Sequence, residues 1–321
     1  MTRDLELIRD AGFTWVKQHV GWRDIEGAAK GHYDWYFTDR VISDTEHLDL
    51  NVLFRLDRQP LWALPPDGSN RGPVENPQDF GDFCHALADR YRGRVRAYQV
   101  WNEPNLAREW QHQLPDPAEY VELLRACYIG IKTADPNALV ISAGLSPTGS
   151  GPPEAMPDVD YLIGMYEAGA APYFDLLGIN APGYKAPPEL SPDDAGNPDL
   201  GYGGHRFFCF RHVEDAREIM IRYGDEDKQV AILEMGWTTD PVHPDYAWFA
   251  VTEEQKADYL VRAFQYAKEH WSPWIGPMTV ISIADPRWTE EEEQYWWAIT
   301  EPCWPEACVR PAYEALREME K

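Results

Sequence analysis

Seven apolar runs of strand length alternate with helical patterns along the 321 residues, and this alternation predicts an α/β fold, a TIM (β/α)8-type barrel lacking its first β-strand. Most of the runs are nearly continuous rather than alternating, as expected of parallel strands covered by helices outside and packed side chains inside. The first periodic element, at 3–11, is a helix with no strand before it, so a repeat counted to eight is one strand short. A chain of this length, 44% hydrophobic and 26% charged, buries a large core, and a single domain over 1–321 is expected.

The expected strands lie at 14–20, 51–57, 95–101, 139–145, 174–180, 229–234 and 278–284. Helix starts are marked by Asn76 with Pro77 and by Asp116 with Pro117, because a proline at the first helical position needs no amide partner. Gly93 is read as the stop of the first of these helices. Thr252 and Gln255 have the spacing of a capping box, and a last helix is expected from Pro311 to Met319. Three long connections, at 104–115, 181–209 and 285–309, follow strand C-termini, where a barrel carries its binding loops. With the first strand missing, the strands at 14–20 and 278–284 are expected to face a gap covered by a loop or a partner chain, a homo-oligomer included.

With 54 acidic against 29 basic residues, the formal charge of −25 disfavours nucleic acid, anionic membranes and polyanionic substrates. A neutral substrate fits this charge, although the same acidity also serves solubility alone. No apolar run is long enough to span a bilayer, and the N-terminal residues lack the apolar stretch of a signal peptide, which leaves secreted and cytoplasmic locations both open. The five cysteines show no CxxC spacing and the nine histidines no HxH or HExxH arrangement, so no metal and no cofactor is expected. Cys84, Cys127 and Cys209 read as packing residues. Cys303 and Cys308 are close enough for a loop disulfide in an oxidising compartment, with the reduced pair favoured.

Glu103 and Glu234 each follow an apolar strand run, AYQVWN and QVAIL, and stand where a parallel strand reaches the rim. Pro104 biases Glu103 toward extended geometry. Two such carboxyl groups suit the cleavage of a glycosidic bond, one protonating the leaving oxygen and the other meeting the developing positive charge on the opposite side of the sugar ring. Asn102, beside Glu103, is placed to donate to a sugar hydroxyl. The plainer alternatives are a rim ion pair or helix cap for Glu103 and a core acid bonded to an arginine for Glu234. Many of the 14 tryptophans and 17 tyrosines fall in rim segments, and flat aromatic faces suit pyranose rings. Trp237 and Trp62 are the foremost candidates, each just beyond a strand end.

The motifs WNEPN around Glu103 and LEMGW around Glu234 resemble the two signatures of clan A retaining glycoside hydrolases, near the cellulase-like families 5 and 39. In that clan the acid/base follows the fourth barrel strand and the nucleophile the seventh. The strands counted here are the third and sixth, and a missing first strand reconciles the two numberings. The resemblance implies Asn102 as the sugar-contacting amide, Glu103 as acid/base and Glu234 as nucleophile, acting on a β-linked neutral glycan. Asn180 and Tyr184, in GINAPGY, stand where the family has a histidine and a tyrosine supporting the nucleophile, and Trp288 stands in for the tryptophan at the end of its eighth strand. The alternative is a catalytically impaired carbohydrate-binding barrel, against which the intact glutamates argue.

Overall fold

The computed structural model describes residues 2–64 and 74–321. Its first half runs α1 (Thr2–Asp10), β1 (Trp15–Gly21), α2 (Trp22–Glu26), α3 (Tyr36–His47), β2 (Asn51–Asp57), α4 (Pro77–Arg90), β3 (Ala97–Val100), α5 (Pro117–Ala134), β4 (Leu139–Ile141) and α6 (Asp158–Glu167). There follow β5 (Leu176–Pro182), α7 (Pro192–Ala195), α8 (Val213–Arg222), β6 (Gln229–Gly236), α9 (Pro244–Ala247), α10 (Glu253–His270), β7 (Ile275–Val280), α11 (Glu293–Trp297) and α12 (Pro311–Glu318).

Among the described residues the strands form one sheet of seven in the order β1-β2-β3-β4-β5-β6-β7. The pairings from β1 to β5 are parallel, with Trp15 opposite Asn51, Leu53 opposite Ala97, Ala97 opposite Leu139 and Ile141 opposite Leu176. Parallel strands in chain order with helical crossovers are the topology of a (β/α)8 barrel, here one strand short, as the sequence pattern predicts.

Several strand ends differ from expectation. The strand expected at 95–101 stops at Val100, because Trp101 takes a positive φ of 71° that no ladder accommodates. β4 keeps only Leu139–Ile141, and beyond it Leu145 makes a single bridge to Ile179. β7 begins at Ile275 and includes Pro277, a residue whose missing amide suits a strand at the end of the sheet order.

The chain divides into two compact units, one comprising the chain up to Thr14 with Asn180–Asp215 and Ile232–Lys321, the other Trp15–Ile179 with Ala216–Ala231. In the second unit the expected caps are present. Asn76 and Asp116 accept from the amides of Gln78 and Ala118, and α4 ends at Arg90, three residues before Gly93. α4 and α5 approach so closely that a Cβ at Gly130 would lie 2.3 Å from the Gly81 carbonyl oxygen. This approach brings Cys84 and Cys127 together as a disulfide, with Cα atoms 5.3 Å apart, which corrects their reading as packing thiols. Trp22, Phe83, Phe80, Trp101 and Trp110 form a continuous ring-to-ring series in the core of this unit.

In the first unit the capping box opens α10, with Gln255 N donating to Thr252 Oγ1 and Thr252 N to Gln255 Oε1. Phe210 packs against both Trp237 and Trp271. Cys303 and Cys308 are bonded, contrary to the favoured reduced pair. The Glu301 amide donates to the Cys308 carbonyl and Thr300 bridges Val309, so a tight turn holds the two thiols within reach.

Candidate active site

Glu103 lies in the second unit. Tyr120, fully buried on α5, donates from its hydroxyl to the Val100 carbonyl and accepts from the Ala143 amide, tying the end of β3 to the chain just beyond β4. From that anchor the chain turns sharply, with positive φ at Trp101 (71°) and at Glu103 (40°). The extended geometry expected of Glu103 before Pro104 is therefore not adopted. The Glu103 amide donates to the Gly144 carbonyl at 3.1 Å, and the next turn closes where Leu106 N meets the Glu103 carbonyl. Non-glycine residues held in this region are strained and concentrate at functional sites. Asn105 braces the turn, its side chain bonded to the Ser146 amide and to the Ser146 and Met156 carbonyls.

The Glu103 side chain is 13% exposed, and one of its oxygens accepts from Arg108 Nη2 at 3.2 Å. Asn102 is buried and accepts from the Gln99 amide at 3.4 Å. Near the ends of β1 and β2, His19 and Arg55 both contact Asp57. Burial presses the Asp57 carboxyl upward, but the His19 hydrogen bond and the Arg55 and Arg58 charges outweigh it and hold the group below the ordinary carboxylate range. Trp62 sits in a short turn after β2, half-buried, edge-on to Trp22, with its N–H donated to the Glu26 carbonyl.

Glu234 lies in the first unit. Glu234 is the partly exposed member of an otherwise buried run from Val230 to Gly236. Its strand is fixed by the Ile281 amide donating to the Met235 carbonyl and by Gly183 N donating to the Gly236 carbonyl. A Cβ at Gly183 would fall 1.9 Å from the Trp237 ring, so only glycine lets the loop after β5 cross the indole. Trp237 itself has no exposed surface and donates to the Ala186 carbonyl at 2.9 Å. A buried indole holds this loop in place and presents no face to a ligand in this conformation. Asn180 is buried on β5, and Tyr184 (φ 52°) packs against Phe208 and Phe249 with ring centroids 4.8 and 5.1 Å apart. Trp288 is partly exposed in the turn opened by Asp285.

The tertiary structure adds residues that pattern reading missed. His19, Arg55 and Asp57 interrupt apolar strand runs with charge, and that interruption was the available signal. Trp297 had none, because its packing on Gly236 joins positions 61 residues apart (297 − 236). Among the described residues no group of three His, Cys, Asp or Glu side chains is placed to hold a metal. A cavity of about 540 Å³ opens at the other end of β7, lined by Phe13, Phe264, Ile275, Met278 and Lys321, and contains none of the candidate site residues.

The fold is the one shared by TIM-barrel glycoside hydrolases of families 39 and 5, which belong to clan A. A family 39 glycoside hydrolase from Bacteroides cellulosilyticus WH2 superposes over 98% of this chain and 59% of its own, with a TM-score of 0.71 and 20% identity. A glucosidase from Croceicoccus marinus (TM-score 0.66, 14% identity, 98% and 62% covered) and the endoglucanase Cel5A from Thermotoga maritima (0.57, 15%, 97% and 88%) are also similar. At these identities the likeness is one of fold. In sequence, a β-xylosidase from Geobacillus stearothermophilus is 24% identical over 159 residues, 42% of this chain and 31% of the xylosidase, so the chain matches under a third of that relative's length. No family model matches.

Proposed function

We propose that the chain is a glycoside hydrolase of the clan A type that cleaves β-glycosidic bonds of a neutral oligo- or polysaccharide with retention of configuration. Glu103 acts as acid/base and Glu234 as nucleophile. The observation that carries this is the placement of the two glutamates, just past the end of β3 and near the end of β6 in one sheet, each partly exposed among buried neighbours. The family 39 hydrolase, the glucosidase, the endoglucanase and the β-xylosidase support the same class of reaction. Double displacement requires the two carboxyl groups to face one cleft about 5–5.5 Å apart. Glu234 then attacks the anomeric carbon while Glu103 gives its proton to the leaving oxygen. In the second step Glu103 takes a proton from water, which displaces Glu234. A further copy of the chain is the proposed cover for a terminal strand of the sheet, a matter for light scattering.

One observation favours a second reading, a barrel that binds carbohydrate without turnover. Arg108 engages a Glu103 oxygen, and an oxygen so engaged does not serve a glycosidic oxygen as proton donor. Arg108 is 60% exposed, and substrate entry must displace it. The two readings separate in an assay on aryl β-glycosides and β-glucans comparing wild type with Glu103→Gln and Glu234→Gln. Loss of hydrolysis in both variants, with azide partly rescuing Glu234→Gly to a product of inverted configuration, supports the hydrolase. Sugar binding without turnover by the wild type supports the alternative.

A further inference from the structure

Lys256 lies on α10 with none of its surface exposed, although an ammonium is among the least tolerated groups in a protein interior. Its Nζ donates to two carbonyls of one loop, Trp296 at 2.9 Å and Ala298 at 2.7 Å. The same carbonyls are held from other sides, Trp296 by the amide and hydroxyl of Thr239 and Ala298 by Arg310 Nη1 at 3.5 Å. Trp297 sits between the two tethered carbonyls. Its ring lies 3.6 Å from a Cβ built on Gly236, in ordinary van der Waals contact with that position. Side chains two apart on a strand share a face, so this ring packs on the face of β6 that carries the Glu234 side chain.

We propose that Lys256 is a positioning residue: by gripping the carbonyls on either side of Trp297 it holds that ring on the face of β6 that carries Glu234 and fixes the wall of the site there. This rests on Glu234 as the nucleophile. A lysine satisfied by two carbonyls is also a sound core residue, so its role must be separated from mere stability.

Protonation supplies the separation. The charges facing Lys256 are Glu253 on its own helix and Arg310 from the segment ahead of α12. Glu253 Oε1 is engaged by Thr239 and Arg310. On the loop after β6, Asp240 and His243 pair with each other at 2.7 Å. Burial pushes the Lys256 ammonium down to about 7, with Glu253 raising it and Arg310 lowering it. A charged donor makes a hydrogen bond roughly twice as strong as a neutral one, but the depressed value means these bonds do not offset the burial of the charge, so protonation favours any opening that uncovers Lys256 and the grip is firmest above neutrality.

The test combines hydrogen exchange with kinetics. In the wild type, protection of a peptide spanning residues 293–300, corrected for intrinsic rates, is expected to rise several-fold as pH rises through about 7. In Lys256→Met it is expected to be low and flat. Hydrolysis of an aryl β-glycoside by Lys256→Met should show a kcat about tenfold below wild type near pH 8 with little change in KM, the gap closing below about pH 6. Exchange that ignores both pH and substitution overturns the proposal, as does a variant of lowered Tm whose kcat ratio to wild type is the same at every pH. If the variant does not fold, the wild-type exchange profile decides alone. Wild type that hydrolyses no glycoside while its exchange responds as expected removes the hydrolase reading and leaves the grip on the loop standing.

Discussion

Replacing Gly183 by alanine tests how the loop after β5 is held over Trp237. The added Cβ would lie 1.9, 2.1 and 2.3 Å from Cε2, Cζ2 and Nε1 of the indole, where carbon contacts settle near 3.5–4.0 Å. The backbone at Gly183 is outside the left-handed region, so the conflict is one of space alone. Trp237 has no exposed surface to retreat into, and its N–H is committed to the Ala186 carbonyl at 2.9 Å. Relief therefore requires a shift of more than 1 Å in the loop or the ring. Overpacking of this kind costs about 1–3 kcal/mol, and loss of the indole hydrogen bond about 1 more. The sum, roughly 2–4 kcal/mol, corresponds for a chain of this size to a Tm lower by about 3–6 °C. Because Tyr184 is the next residue, activity on an aryl β-glycoside is expected to fall roughly 10- to 100-fold. Trp237→Leu removes the three opposing atoms, so in that background Gly183→Ala should cost under about 0.5 kcal/mol, a coupling of about 2 kcal/mol in a double-mutant cycle. A Gly183→Ala protein with wild-type Tm and rate, or additive costs in the cycle, would refute the close approach.

Three further outcomes are expected. By loop entropy, the Cys84–Cys127 bridge, with a sequence separation of 43, contributes about 4 kcal/mol, against about 2 for Cys303–Cys308 with a separation of 5. Urea unfolding of the two double-serine variants should rank them in that order. The Asp57 carboxyl is held below the ordinary range, so its stabilising contribution is present above about pH 4 and is lost as pH falls through its lower folded value. Asp57→Asn should therefore unfold more easily at neutral pH and flatten the acid limb of a stability profile. Lys256 is held near 7 against about 10.4 unfolded, so the unfolded chain binds the extra proton between those values and stability should rise with pH across that window by roughly 1 kcal/mol per unit. In Lys256→Met, denaturant titrations at successive pH values should lack that rise.

Local chemistry was legible along the chain. Helix starts at Asn76, Asp116 and Thr252 need only partners two or three residues away, and seven apolar runs were enough to anticipate the seven strands found among the described residues. Glu103 and Glu234 were visible for the same reason, as acids ending apolar runs. Which atoms meet across long separations was not legible. The approach of Gly81 to Gly130 makes Cys84 and Cys127 a bridge, and the crossing at Gly183 turns Trp237 from a candidate sugar platform into a buried support. Trp297 comes to rest against Gly236, on a loop whose carbonyls are gripped by a lysine that looked like any other charge on a helix. Periodicity and capping act over a single turn or strand, whereas packing is decided by the shape of surfaces that only the folded chain brings together.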